Sequence, residues 1–417
     1  MYSYLIQNDL ICEQQSGFRK KHSCQTSLHR LNEQLLSDLH AGKVVGLVAL
    51  DLKKAFDTVN HKILLEKLNF YGIQNTEHVW FKSYLQERVQ YCTLFNNLSE
   101  PEFITCGIPQ GSILGPLLFI VYVNDIPSCL SNSHVNIYAD DTAFYFANTD
   151  VNVVNSILQA ELESVYQWLC ANKLSLHIGK TNCMLICSRQ KRMHLQNDVL
   201  HLNLEDCDVE QVQSLKYLGL TIDCNLRFNE YMKELIVKLN RSVGILRRAA
   251  RYIDQKTRVT LFNTLVLPHI DYCSTVWGNC ISKTDIVKLQ RIQNCAMRII
   301  LECHYRTHIS DRLQTLQWLS IEQRLYFNLC CLVWKTLNSH TPKYMEHYFQ
   351  ATHTVHTHGT RSSSSNMLHM GNSHGKSLKL NGTQAWNKLP EMLRDTKNFK
   401  AFKVQLLTFI KTNMPYE

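Results

Sequence analysis

Apolar residues recur along this chain with two different periods, and the switches between them outline its architecture. Residues 44–51, VVGLVALD, form an apolar, β-branched run that ends on an acid, the pattern of a buried strand. Residues 1–45 are otherwise mixed polar and helical, with a basic, Gly-containing turn, SGFRKKHS. Segments 60–70 and 76–87 show helical spacing, and GIPQGSILGPLLFIVYVNDI reads as a Gly- and Pro-punctuated turn followed by an apolar helix. NIYAD and TAFYFA predict a hairpin around Asp140 and Asp141. Residues 151–172 bring Val154, Ile157, Leu158, Leu162, Val165 and Leu169 to one helical face, and 174–187 and 215–223 predict further strands. From Asn229 the pattern is helical. Met232, Leu235, Ile236, Leu239, Val243 and Leu246 share one face, and Lys233, Arg241, Arg247, Arg248 and Arg251 share the other. Helices are predicted at 284–301 and 320–338, then a long mobile loop rich in His, Ser, Thr and Gly at 350–377, then a helical tail from Thr383.

Composition narrows the class. The 417 residues are 45% hydrophobic and 10% aromatic, which suits a globular chain of two or three domains and excludes a disordered one. No apolar run approaches the ~18 residues that span a bilayer, and MYSYLIQNDLICEQQ lacks the layout of a signal peptide. The expectation is an intracellular protein with no membrane partner. Its sixteen cysteines are then expected to be reduced, with Cys170, Cys183, Cys187, Cys330 and Cys331 serving as small buried hydrophobes. The net charge of +9 points to a polyanion, with force only if the charge lies on one face. The basic face after Asn229 is either plain solvated surface or a helix lying along a phosphate backbone.

Candidate chemistry centres on IYADDTAFY, where two carboxylates interrupt a run that otherwise reads as a buried strand. An isolated buried carboxylate costs several kcal/mol to ionise, and two adjacent ones cost more unless a cation compensates them. Asp51 poses the same problem at the end of GLVALD. If the two strands are neighbours, three carboxylates converge at one edge of a sheet. Hard oxygen ligands of that kind suit Mg²⁺ or Mn²⁺ rather than zinc, and a pair of such ions serves in-line phosphoryl transfer. The competing explanation is a pair of polar turn residues at a hairpin tip. The histidines His353, His356, His358, His369 and His374 match no Cys/His knuckle spacing.

YADD (Tyr138 to Asp141), LVALDLKKAFD (Leu47 to Asp57) and GIPQGSILGPLLF (Gly107 to Phe119) together resemble the reverse transcriptases of non-LTR, LINE-type, jockey-like retrotransposons. SGFRKKHS (Ser16 to Ser23), NKLSLHIGKT (Asn172 to Thr181) and KYLGLTID (Lys216 to Asp223) follow the family's order. LFNTLVLPHIDYCSTVWG (Leu261 to Gly278) and AWNKLPEMLRDTKNFKAFKVQL (Ala385 to Leu406) extend the likeness over nearly the whole chain. His177 and Cys24 depart from it, standing where the family usually has Asn and Thr.

The resemblance implies an α+β fold. Partial fingers and a right-hand polymerase palm would occupy 1–225, a helical thumb 226–302 and a helical C-terminal region 303–417. It implies that Asp51, Asp140 and Asp141 bind two Mg²⁺ ions, with Mn²⁺ as an alternative. Asp141 ranks below Asp140 if both lie on one strand, because neighbouring side chains then point to opposite faces. By the same resemblance Lys180 protonates the leaving pyrophosphate, Arg19 grips the triphosphate, and Phe56 rejects a 2′-hydroxyl. Gln110 and Gly111 meet the incoming nucleotide, and Tyr217, Leu218 and Gly219 support the primer end. Asp57 is expected to cap the following helix. The implied partners are an RNA template, a DNA primer and dNTPs, in a ribonucleoprotein of nucleus and cytoplasm. The family has another fingers motif before SGFR and an endonuclease further upstream. The chain is therefore expected to be N-terminally truncated, with target nicking supplied elsewhere. The rival expectation is a catalytically silent, decayed or domesticated nucleic-acid binder.

Overall fold

The computed structural model describes residues 1–194, 199–304, 306–307, 310–352, 366–371 and 375–414. The chain forms two compact units, one of Met1–Ser27 with Ala41–Leu218, the other of Leu28–His40 with Gly219–Glu417. The mixed α and β class expected from the sequence is the class observed.

The first unit is built on a five-stranded sheet. Its strands are β1 (Val44–Leu50), β2 (His134–Tyr138), β3 (Asp141–Asn148), β4 (Asn182–Ile186) and β5 (Glu210–Gln211), in the spatial order β5-β4-β1-β3-β2. The pairings are antiparallel except for β5 with β4. β1 lies in the middle, and its Val44, Val45, Leu47 and Val48 are wholly buried, as a run apolar on both faces requires. Helix α1 (Val151–Ala171) packs on β1 and β3 through Val154, Leu158, Leu162, Val165 and Leu169. Its N-terminus is capped by Asp150, which accepts from Asn152 N–H. Cys170 is a correction: the helix turns it outward and it is exposed, while Cys183, Cys187, Cys330 and Cys331 are buried as expected.

Two predicted strands are interrupted. In 174–187 only Asn182–Ile186 joins the sheet. Leu176 makes a single bridge to Leu52, and Ile178–Lys180 is a 3₁₀ turn. In 215–223 the strands Ser214–Tyr217 and Leu220–Asp223 are separated by Leu218 and Gly219, both left-handed at φ 46° and 75°. Asp57 is not the helix cap. Asn60 caps the helix His61–Phe70 by accepting from Ile63 N–H, because the chain makes a further turn after Asp57 before the helix begins.

The second unit is helical. Its longer helices include Asn229–Ala249, Lys283–Ile300, Ile321–Leu337, Leu378–Asn387 and Phe399–Asn413. Trp334, Trp386, Phe402, Leu406 and Ile410 form much of one core. On Asn229–Ala249 the predicted apolar face is buried, apart from half-buried Ile236. Lys233, Arg241, Arg247 and Arg248 are exposed, as is Arg251 just beyond the helix. Of the segment expected to be a mobile loop at 350–377, residues 353–365 and 372–374 lie outside the described residues. Ala351 bridges Leu368, and Leu368 is buried. His353, His356, His358 and His374 lie outside the described residues. Among the described residues no helix is long and apolar enough to cross a membrane.

Candidate active site

Strand register gathers the acids. β1 pairs antiparallel with β3 up to Leu50 opposite Thr142, so the next step outward sets Asp51 opposite Asp141. β2 pairs with β3 up to Tyr138 opposite Asp141, which leaves Ala139 and Asp140 as a two-residue turn with Ala139 at φ 57°. Asp140 is therefore on the turn and not on the strand, and the opposite-faces argument against Asp141 lapses. On the other side of β1, the Nζ of Lys180 lies 4.0 Å from Asp51 Oδ2. The chain around this ion pair is fixed by backbone bonds from His177 N–H to Asp51 C=O (2.7 Å) and from Lys53 N–H to Ser175 C=O (2.8 Å).

The electrostatics of this sheet end are unbalanced. The Asp141 carboxyl is pushed up to about 6, first by burial and then by the negative charges of Asp140 and Asp51. The residue nonetheless keeps access to solvent. Asp140 and Asp51 thus both lie within electrostatic reach of Asp141. Among the described residues, no group of three or more His, Cys, Asp or Glu side chains stands close enough together to hold a metal ion. The donor set still fits a hard divalent cation. It consists of the carboxylates of Asp51 at the end of β1, Asp141 at the start of β3 and Asp140 in the turn before it, with the exposed Lys180 beside Asp51. An ion's own charge is what would close such a set.

Around the acids, Phe56 stacks on Phe119 with ring centroids 4.2 Å apart and meets Phe18 edge-on at 6.3 Å. The GIPQG loop docks on the segment after Asp51. Gly107 N–H donates to Val59 C=O and Ile108 N–H to Phe56 C=O. Gly107 is left-handed at φ 89°, and a side chain there would press a Cβ to 2.7 Å from Asp57 O, so the loop can close only over glycine. Gln110 donates from Nε2 to Asp57 Oδ1 at 2.7 Å, and Gly111, φ 80°, borders open space. Asp57, predicted as a cap, is thus the partner that orients Gln110.

Arg19 Nη1 donates to the carbonyls of Cys12 (3.0 Å) and Gln15 (2.9 Å), which closes the loop before it. Tyr217 is buried, its OH donates to Asn136 C=O on β2, and burial raises its phenol well above the ordinary range. It therefore buttresses the hairpin strand from within the core. Leu218 and Gly219 form the turn that follows.

Sequence reasoning missed Gln15. It is wholly buried, and its side-chain carbonyl accepts from Gly17 N–H and from Ala139 N–H in the acid-bearing turn. The partner rings of Phe56 were missed as well. Phe119 stood in a quoted motif, but nothing in the spacing placed it against Phe56.

Residues 1–222 match the family model described as reverse transcriptase (RNA-dependent DNA polymerase). The chain is 28% identical over 321 residues to a Drosophila melanogaster protein named "Probable RNA-directed DNA polymerase from transposon BS", covering 72% of this chain and 34% of that protein. It is 27% identical over 300 residues to the RNA-directed DNA polymerase from mobile element jockey of Drosophila funebris, covering 69% and 31%. The chain spans about a third of the length of these curated relatives. Among solved structures it is similar to a Candida albicans telomerase in complex with a fragment of telomeric RNA. That likeness has a TM-score of 0.40 at 13% identity, and it covers 76% of this chain and 56% of that one.

Proposed function

We propose that this chain, a member of the reverse transcriptase (RNA-dependent DNA polymerase) family of LINE-type retrotransposons, extends a primer 3′-hydroxyl with dNTPs on an RNA template. The observation that supports this reading is the strand register that sets Asp51 opposite Asp141, with Asp140 in the adjoining turn and Asp141 pushed up by burial and then by the charges of Asp140 and Asp51. These acids would hold two divalent cations, Mg²⁺ or Mn²⁺, whose charge favours the alkoxide of the primer and offsets charge on the α-phosphate.

The chain's own residues do the positioning. Lys180, beside Asp51, carries an ammonium that can hand a proton to the departing pyrophosphate oxygen. Phe56, fixed by its stack on Phe119, places a flat wall against the sugar, where a 2′-hydroxyl would overlap it. Gln110, tethered through its amide nitrogen to Asp57, keeps its carbonyl oxygen for the incoming nucleotide beside Gly111. Arg19 is assigned to loop closure. In this reading the first unit holds the palm. The thumb (226–302) presents Arg241, Arg247 and Arg248 to phosphates, and 303–417 forms a helical C-terminal region. Nicking of target DNA belongs to a separate activity, and the working form is a ribonucleoprotein of nucleus and cytoplasm.

Primer extension on an RNA template with Mg²⁺ tests the reading. The wild-type chain should incorporate dNTPs and Asp140→Ala should not. Equal, nil incorporation by both, with retained nucleic-acid binding, would instead support the silent binder. Phe56→Val should admit ribonucleotides that the wild type rejects.

A further inference from the structure

The turn that carries Asp140 is not self-supporting. Ala139 adopts φ 57°, a left-handed conformation that is strained for a residue with a Cβ. Such a conformation persists where its surroundings fix it. Here they do so from a distant stretch of sequence. Residues 14–16 run alongside β2: Ser16 N–H donates to Ile137 C=O at 2.8 Å, Ile137 N–H donates to Gln14 C=O at 3.1 Å, and Gln15 forms a parallel bridge with Ile137. The Gln15 side chain then reaches the turn itself. Its Oε1 accepts from Ala139 N–H at 2.9 Å and from Gly17 N–H at 2.7 Å, within a wholly buried site. Both donors are backbone N–H groups, so the atom between them must be the carbonyl oxygen. Among the described residues Gln15 Nε2 has no hydrogen-bond partner, so the contact uses the acceptor alone. Gly17 completes the fit. A Cβ there would stand 2.4 Å from Ala139 N, so only glycine lets the loop lie this close to the turn.

We infer that Gln15 and Gly17 form a latch that sets the position of Asp140 relative to Asp51 and Asp141, and that Gln15 is a positioning residue for divalent-cation binding at this sheet end. The inference rests on the polymerase reading for its reaction, but not for its first measurement. Gln15→Met keeps the bulk and removes the acceptor. Gln15→Glu keeps an oxygen acceptor for both N–H groups whether or not its carboxyl is ionised. Gly17→Ala leaves Gln15 intact and displaces the turn by contact.

Mn²⁺ binding to the full chain, followed by electron paramagnetic resonance without nucleic acid, is the primary readout. Gln15→Met and Gly17→Ala should each weaken Mn²⁺ binding by ~10–100-fold, the usual effect of losing a group that orients a ligand, while Gln15→Glu should bind as the wild type does. In primer extension the two weakened variants should lose kcat and leave the KM for dNTP within roughly twofold, the signature of an interaction that serves the chemical step. A generally loosened fold would instead change the melting temperature and KM together. Wild-type Mn²⁺ affinity in folded Gln15→Met overturns the latch. If Gln15→Met fails to fold, wild-type affinity in Gly17→Ala overturns it. A wild-type chain that binds Mn²⁺ yet extends no primer sinks the polymerase reading, and the Mn²⁺ comparison still decides the latch. A wild-type chain that binds no Mn²⁺ overturns both.

Discussion

Asp141 in the first unit and Asp223 in the second are both acids placed among apolar neighbours, and their surroundings are opposite. Asp223 is buried, and its oxygens accept from the backbone N–H groups of Asn225 (3.0 Å), Arg227 (3.1 Å) and Asn229 (2.9 Å). It knits the loop that leads into the helix Asn229–Ala249, whose N-cap, Phe228, is left-handed and offers no capping side chain. Asp141 is pushed up to about 6, first by burial and then by its two carboxylate neighbours. Glu33 resembles Asp223, since it accepts from Ser377 Oγ–H and Leu378 N–H at the start of the helix Leu378–Asn387. An acid supplied with donors serves the fold. An acid left facing other acids marks a place where an absent positive charge belongs.

Breaking each side of this contrast should give opposite results. The largest effect is on chemistry: Asp140→Ala should abolish primer extension without lowering the melting temperature, since it relieves repulsion and removes no donor's partner. Asp223→Ala should do the reverse. Three N–H groups lose their acceptor at about 1 kcal/mol each, so urea unfolding should show a loss of about 3 kcal/mol.

Glu33 sharpens the contrast, because burial raises its carboxyl even though Ser377 and Leu378 pull it down. For an acid raised on folding, the protonated form favours the folded state. That contribution is fully present below the unfolded pKa and is lost as pH rises through the folded one. Glu33→Gln, which keeps an acceptor without the charge, should therefore stay within ~1 kcal/mol of wild type at neutral pH, while Glu33→Ala should lose ~2 kcal/mol.

The smallest effect is on Asp141, where the same sign applies. Its contribution is full below about 3.8 and gone above about 6. Asp141→Asn should raise the melting temperature of the metal-free chain by ~1–2 °C at pH 7.5, and by nothing at pH 4. Divalent cation should erase or invert the difference at pH 7.5, because only the wild type gains from the ion. A higher wild-type melting temperature in the absence of metal would break the comparison.

Much of this was legible along the chain. The two-period pattern gave β1, the hairpin around Asp140 and the amphipathic helices 151–171 and 229–249, because each buries one continuous stripe or run of its own residues. Motif order gave the family. What failed was local chemistry with several possible partners. Asp57 looked like a cap and binds Gln110, and Cys170 looked buried and is not. In both cases a short polar or small side chain had more than one competent environment, and spacing cannot choose among them.

By itself the sequence determined which segments become strands and helices, and it placed acids at the ends of two of those strands, because hydrophobic period and chain termination are properties of neighbouring residues. Only the tertiary structure decided that Asp51 would stand opposite Asp141, that Lys180 would reach Asp51, and that Gln15 would hold a turn 124 residues away. Those outcomes depend on strand order and register, which are set by the packing of the whole sheet and are encoded in no single stretch of the chain.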